Sequence, residues 1–220
     1  MTLVCMMMVS CNPKDEDPIN PDGSDGNGSD GKHEVHEYVD LGLPSGLKWA
    51  TCNVGASKPE DYGNYYAWGE TATKSEYTED NNLTNGLSIS ELQAQGIIDG
   101  NSNLMPQHDA ARANWGGDWR MPTRTEMQEL IDNCEWEWTT QNGVNGYKVT
   151  GTNGNSIFLP AAGYRDGSSL YYAGENGDYW SSTPDDRYDD DACGVDFDSD
   201  DQYVDNYYRN YGFTVRPVTE

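Results

Sequence analysis

The sequence predicts an α+β domain of short, hairpin-linked strands with two or three short helices. Three observations carry that prediction. Thr123 and Glu126 have capping-box spacing, and Met127, Leu130, Ile131 and Cys134 then fall on one apolar stripe, which predicts a helix. Residues 38–43 and 47–54 alternate in polarity around Pro44-Ser45-Gly46, which predicts a hairpin over 38–54. Asn153-Gly154, between Tyr147–Thr150 and Ile157–Leu159, is the strongest short-range hairpin signal in the chain.

The remaining elements follow from the same rules. Ser88 and Glu91 repeat the capping-box spacing and Gly96 follows, so a short helix is expected there. Residues 70–104 otherwise read as a polar insertion. His108–Asn114 reads as a short helix stopped by Gly116-Gly117. Glu135-Trp136-Glu137-Trp138 alternates strictly and reads as strand. Val195/Phe197 and Phe213/Val215 are two further alternating pairs near the end.

Composition qualifies this picture. Leu, Ile, Val and Phe make up only 31 of 220 residues, and 38 acids against 13 bases leave a net charge of −25. Such values fall in the range usually read as disorder. Seven Trp and fifteen Tyr supply the missing area, since a large aromatic can bury roughly 150–250 Å². The charge argues against nucleic acid and anionic lipid surfaces as partners, because both are polyanions. No apolar run reaches the ~18–20 residues of a membrane span.

Three segments are expected. Residues 1–11 end in Met8-Val9-Ser10-Cys11 after an uncharged apolar run, which resembles a bacterial lipoprotein signal with Cys11 as the lipidated residue. Such a signal usually has a basic start, and its lack here leads us to expect the natural start codon upstream. Asn12-Pro13-Lys14-Asp15-Glu16-Asp17 resembles the export tag of surface lipoproteins in the Bacteroides group. That resemblance implies an outer-membrane protein facing outward, touching the membrane only through its lipid anchor. Residues 12–34, rich in Gly, Asp and Ser, read as a flexible tether. Residues 35–218 read as one domain.

Within that domain several blocks look familiar. Residues 38–71, Trp119-Arg120-Met121-Pro122-Thr123, residues 159–165, Tyr179-Trp180-Ser181-Ser182-Thr183 and Gly212-Phe213-Thr214-Val215-Arg216-Pro217 together resemble the FISUMP, or "major paralogous", domain of gut bacterial surface proteins. The 119–123 and 212–217 blocks are also similar to formylglycine-generating enzymes. The resemblance implies a C-type-lectin-like fold of the formylglycine-generating-enzyme type.

Fold does not assign function, so the enzyme reading is tested on its own residues. Formylglycine-generating enzymes use a close pair of cysteines to hold copper. With Cys5 removed by cleavage and Cys11 lipidated, Cys52, Cys134 and Cys193 remain, far apart in sequence. The odd count allows at most one disulfide. The three histidines do not cluster with cysteines as a zinc site requires, and no nucleophile elbow surrounds Ser181-Ser182. No catalytic residue and no cofactor is therefore assigned, and a formylglycine-generating-like oxidase stays a remote alternative.

The informative stretch is 171–211. It holds eight of the fifteen Tyr and twelve acids against two Arg. Val195 and Phe197 point one way, so Asp196 and Asp198 are expected on the opposite, exposed side. Tyr with small polar residues is the chemistry of antibody-like binding surfaces: large rigid contact area beside adaptable hydrogen bonding. A solvated acidic face with structural Tyr is the plainer explanation.

The ending also resembles the variable region of proteins diversified by retroelements, in which miscopied adenines turn Asn codons into Asp, Tyr and others. That resemblance implies a scaffold of Trp180, Val195, Phe197, Arg209, Gly212, Phe213 and Arg216. It implies diversified, ligand-binding positions at Tyr188, Asp189, Asp190, Asp196, Asp198, Asp200, Asp201, Tyr203, Asp205, Asn206, Tyr207, Tyr208, Asn210 and Tyr211.

A calcium reading of Asp196-x-Asp198-x-Asp200-Asp201 fails on two counts. Asp201 stands where the turn Gly belongs and Tyr207 where the bidentate Glu belongs, so no metal is assigned. The expected function is non-covalent binding of a protein or glycan, basic or neutral, with a fimbrial or cell-envelope subunit as the alternative.

Overall fold

The computed structural model describes residues 36–220, so the expected lipidation residue Cys11 and the expected 12–34 tether lie outside the described residues. The chain opens with β1 (Tyr38–Asp40) and β2 (Lys48–Ala50), an antiparallel hairpin with Tyr38 opposite Ala50. The turn falls where Pro44-Ser45-Gly46 breaks the alternation. Three helices follow: α1 (Ile89–Ala94), α2 (Ala110–Trp115) and α3 (Arg124–Asn133). Ser88 and Glu91 cap α1 reciprocally, Thr123 and Glu126 do the same for α3, and Gly116 closes α2.

Eight of the remaining strands form three antiparallel sheets. These are β3 (Glu135–Gln141), β4 (Val144–Thr150) and β5 (Ser156–Pro160); β6 (Tyr164–Asp166) and β7 (Ser169–Tyr171); and β8 (Gly177–Pro184), β9 (Asp191–Phe197) and β10 (Gln202–Tyr208). Last comes β11 (Val218–Thr219), which returns to pair with β2. The architecture is α+β, built mostly of small antiparallel sheets with three short helices. The Asn153-Gly154 turn joins β4 to β5, as its dipeptide predicts.

The β8–β9–β10 sheet is the centre. Tyr179, Val195 and Phe197 face one apolar cluster, with Met127 and Leu130 of α3 and Tyr147, Val149, Ile157 and Leu159 of β4 and β5. Trp180 and Ala192 face a second cluster, with Phe213, Val215, Tyr66 and Trp68. A strand with a core on each side has no solvent face, and β8 is buried everywhere except at half-buried Thr183. Trp180 stacks on Phe213 at 4.1 Å between centroids, an aromatic pair adding to the area it buries.

Two expectations need correction. The 70–104 segment is not merely a polar insertion, because Leu92, Ile97, Ile98 and Leu104 are buried in the second cluster. Their spacing is irregular because turns, not a repeating element, deliver them to the core. Phe213 and Val215 are buried but form no strand; residues 213 and 214 make isolated bridges to Tyr66 and Tyr179. A single bridge on each side satisfies the backbone without a ladder.

Buried polar side chains hold these irregular parts. Asp109 accepts from Arg112 N at 2.9 Å and Met121 N at 2.8 Å, so it caps α2 and pins the residue before Pro122. Arg120 grips Glu126 with two bonds of 2.7 Å. Arg216 donates to Asn53 Oδ1 and to the carbonyls of Ala50, Thr51 and Phe158.

Replacing Arg216 leaves several buried acceptors without a donor, each costing roughly 1–3 kcal/mol. Arg216→Met should therefore lower the urea unfolding free energy by about 3 kcal/mol or more. Lys148→Met, at an exposed side chain of β4, should change it by less than about 1 kcal/mol.

Candidate functional site

Strand register decides which of the predicted residues meet. Asp178, Asp196 and Tyr203 lie opposite one another across β8, β9 and β10, and Gly194 opposes Asp205, while Ala192 opposes Tyr207. Alternation puts Asp196, Tyr203, Asp205 and Tyr207 on one face. Val204 points to the other and packs into the first core cluster. Tyr207 lies at 5.2 Å from the Phe213 ring and its hydroxyl hydrogen-bonds Asp196, as does the side chain of Asn176.

Asp196 is half-buried, not exposed as the alternation predicts, because Asp178 and Tyr207 flank it. Asp178 is only 2% exposed, and its carboxyl pairs with that of Asp196. Burial, then the Asp196 charge, pushes Asp178 up to about 8. Burial also raises Asp196, with Asp198 adding to it. Two carboxyls in contact share a proton, since both cannot ionise cheaply.

A second aromatic group extends this face. Tyr164 of β6 is ringed by Tyr171 at 5.7 Å, Tyr172 at 6.0 Å, Tyr211 at 5.2 Å and Phe213 at 6.2 Å, and Tyr208 meets Tyr211 at 5.6 Å. Tyr171, Tyr172 and Tyr208 are exposed. Gly163 makes the arrangement possible: a Cβ there would sit 2.0 Å from the Tyr171 carbonyl oxygen. The β6–β7 hairpin folds down onto that bare backbone and brings Tyr171 and Tyr172 beside Tyr164. Tyr172 has φ +52°, a left-handed conformation costing a bulky residue roughly 1–2 kcal/mol.

The acidic loop after β8 has a structural share. Asp185 accepts from Arg187 N at 2.8 Å and Tyr188 N at 3.1 Å, which shapes the turn. Arg209 is fully buried, donates to the carbonyls of Asp191, Thr84 and Leu87, and lies over the Trp68 ring. Burial lowers its pKa to about 10, against the opposing charges of Asp189, Asp190, Asp191 and Asp185. Part of the local acidity thus compensates a buried cation.

The predicted residues divide accordingly. Tyr188, Asp189, Asp190, Asp198, Asp200, Asp201, Tyr203, Asp205 and Tyr208 are exposed. Asp196, Asn206, Tyr207 and Tyr211 are half-buried. Asn206 is tied to Asp191 and to Arg187. Asn210 is buried at 4% exposure, contrary to an outward-facing position, because it sits between buried Arg209 and the Tyr211–Phe213 aromatic group.

Asp198 to Asp201 form the β9–β10 turn, where Asp198 Oδ1 accepts from Asp200 N and Asp201 N. Among the described residues no three His, Cys, Asp or Glu side chains converge as a metal-holding group. Cys52, Cys134 and Cys193 are not joined by disulfides, and burial pushes the thiols of Cys134 and Cys193 up to about 11. Tyr164 and Asp178 escaped the sequence reading because Tyr164 lies in an apparently fixed block and nothing local marks Asp178. Tyr171 and Tyr172 were visible only as part of the tyrosine count.

An α+β scaffold that carries a Tyr- and Asp-rich C-terminal face on a fixed core has the features of a ligand-binding domain with a variable surface. The model of the Lcl C-terminal domain matches residues 42–219, and the chain belongs to that family. Membership supports both a retroelement-related variable C-terminus and a ligand-binding surface protein. No curated protein and no solved structure matches the chain.

The carboxyl pair makes stability depend on pH. Asp178 ionises near ~3.9 when unfolded and near 8 when folded, so folding takes up a proton between those values. Stability contributed by this group is full below pH 4 and is lost as pH rises towards 8. Despite burial, hydrogen bonds from Arg120 and Arg187 hold Glu126 and Asp185 low, and their opposite contribution is complete above about pH 5. The urea midpoint should therefore fall from pH 5 to pH 8, and Asp178→Asn should flatten that fall and exceed the wild type at pH 8.

Proposed function

We propose that this protein is an outer-membrane surface lipoprotein, anchored through Cys11, that binds a basic or neutral protein or glycan. Binding uses the face built from Tyr203, Asp205, Tyr207, Tyr208 and Tyr211, extended by Tyr164, Tyr171 and Tyr172. The fold is of the C-type-lectin-like, formylglycine-generating-enzyme type, in a FISUMP-like arrangement. The domain is a binder and not a catalyst. The membrane touches only its lipid anchor, and its negative charge keeps nucleic acid away.

One observation carries this reading. Five tyrosine rings form a connected patch from Tyr171 to Tyr208 across two separate sheets, with three of them exposed. A core does not need exposed rings there, whereas interfaces use Tyr as rigid anchors. Retroelement diversification suits the arrangement, since most positions that would vary project from a scaffold whose core residues stay buried.

Deep sequencing of the gene's 3′ end in one growing population tests it. Codon changes should gather at Tyr203, Asp205, Asn206, Tyr207 and Tyr208 and spare Trp180, Phe197, Arg209, Phe213 and Arg216. An invariant 3′ end with no nearby template copy would exclude diversification and leave a fixed ligand to be found. Folding gives a second check. Tyr203→Asn and Asp205→Tyr should each shift unfolding free energy by less than about 0.5 kcal/mol, and Asn210→Tyr should cost more than about 2 kcal/mol.

A further inference from the structure

We propose that Asp196, with Asp178 behind it, is a subsite for one cationic side chain, a guanidinium or ammonium group presented by a protein ligand. The inference rests on the ligand-binding reading of the Tyr203/Tyr207 face and specifies what that face recognises.

The geometry is a buried acid behind a half-buried one. Asp178 and Asp196 stand in register on adjacent strands with Tyr203 next in the row. Asp178 Oδ2 is buried and accepts no hydrogen bond from a described residue. Register sets its side chain beside that of Asp196 on the same face, and two carboxyls so placed are cheapest with one proton between them. A fold gains nothing from such a pair, since Asn at either position would supply the donor. Asp196 is the member that reaches solvent, beside Tyr203, which is 45% exposed.

The surroundings suit a cation. The groups facing the pair are Asp198 from the end of β9, Tyr203, Asp205 and Tyr207 from β10, Tyr164 from β6, and Tyr65 and Tyr179. These are acids or rings with a negative face, and the Asn176 side chain beside Asp196 is neutral. Arg165, beyond Tyr65, stacks over that ring at 5.0 Å, and Arg216, beyond Tyr179, is engaged by Asn53 and three carbonyls. A ligand guanidinium at Asp196 would gain a charge-assisted bond and a cation–π contact. Its charge replaces the shared proton, which passes to the buffer.

The test uses a capped hexa-arginine peptide and isothermal titration at pH 7 in two buffers of different ionisation enthalpy. Binding by the wild-type protein should release a measurable fraction of a proton and tighten several-fold from pH 6 to pH 9. Asp178→Asn, nearly isosteric and still able to donate to Asp196, should bind with proton release near zero and a flat pH profile. Asp196→Asn should weaken binding about tenfold, and Asp200→Asn, in the exposed turn, by less than twofold. Thermal unfolding of each variant confirms folding.

Equal weakening by Asp196→Asn and Asp200→Asn would show diffuse attraction and overturn the subsite, as would undiminished proton release in Asp178→Asn. The broader reading fails separately. If Tyr207→Ala/Tyr208→Ala binds the peptide like the wild type, the face is misplaced. If that double variant loses binding while the aspartate variants do not, the face stands and the subsite is wrong.

Discussion

Arg216 gives its guanidinium protons to Asn53, to the carbonyls of Ala50 and Thr51, and to that of Phe158. One side chain thereby ties the C-terminal segment to the loop after β2 and to β5. A chain with so much irregular backbone cannot satisfy its buried carbonyls by ladders alone. Arg209 does the same work for Asp191, Thr84 and Leu87. Each arginine supplies several donors from a planar fork, so each can collect carbonyls from segments far apart in sequence.

These buried polar anchors and the buried Trp residues let the surface vary. Trp49, Trp68 and Trp180 are at most 2% exposed, and the central sheet has a core on both sides. Rigidity therefore comes from beneath the Tyr- and Asp-rich face, not from its own residues. An exposed Tyr or Asp on β10 can be exchanged without disturbing the packing under it. The same scaffold fixes where Tyr164, Tyr171 and Tyr172 stand, so these rings would be a constant part of a face whose other part changes.

The acidity of the C-terminal segment has two origins. Asp185 shapes a turn, and the charges of the 185–191 loop offset the buried Arg209. Asp196 and Asp205 belong instead to the face, where like charges repel and cost stability. Asp178 is the sharper case, since a buried acid held protonated lowers stability as pH rises. Tyr172, in a left-handed conformation, adds backbone strain beside the tyrosine face.

The sequence by itself determined the elements that depend on local chemistry. Capping boxes at Ser88 and Thr123, the Asn153-Gly154 turn and the break after Leu43 each act within a few residues, so their effects were readable. Val195 and Phe197 were legible from their alternation, whereas Arg209, Gly212 and Arg216 entered the scaffold only through the resemblance to retroelement-diversified proteins. Only tertiary structure decided which polar residues meet. Whether Asp196 faces water depends on Asp178, eighteen positions away, and on a strand register that no local pattern encodes. Tyr171 and Tyr172 join Tyr164 because Gly163 lets a hairpin collapse onto its backbone. Long-range register and close backbone approach are properties of the packed chain, and they turned a run of Tyr and Asp into a face.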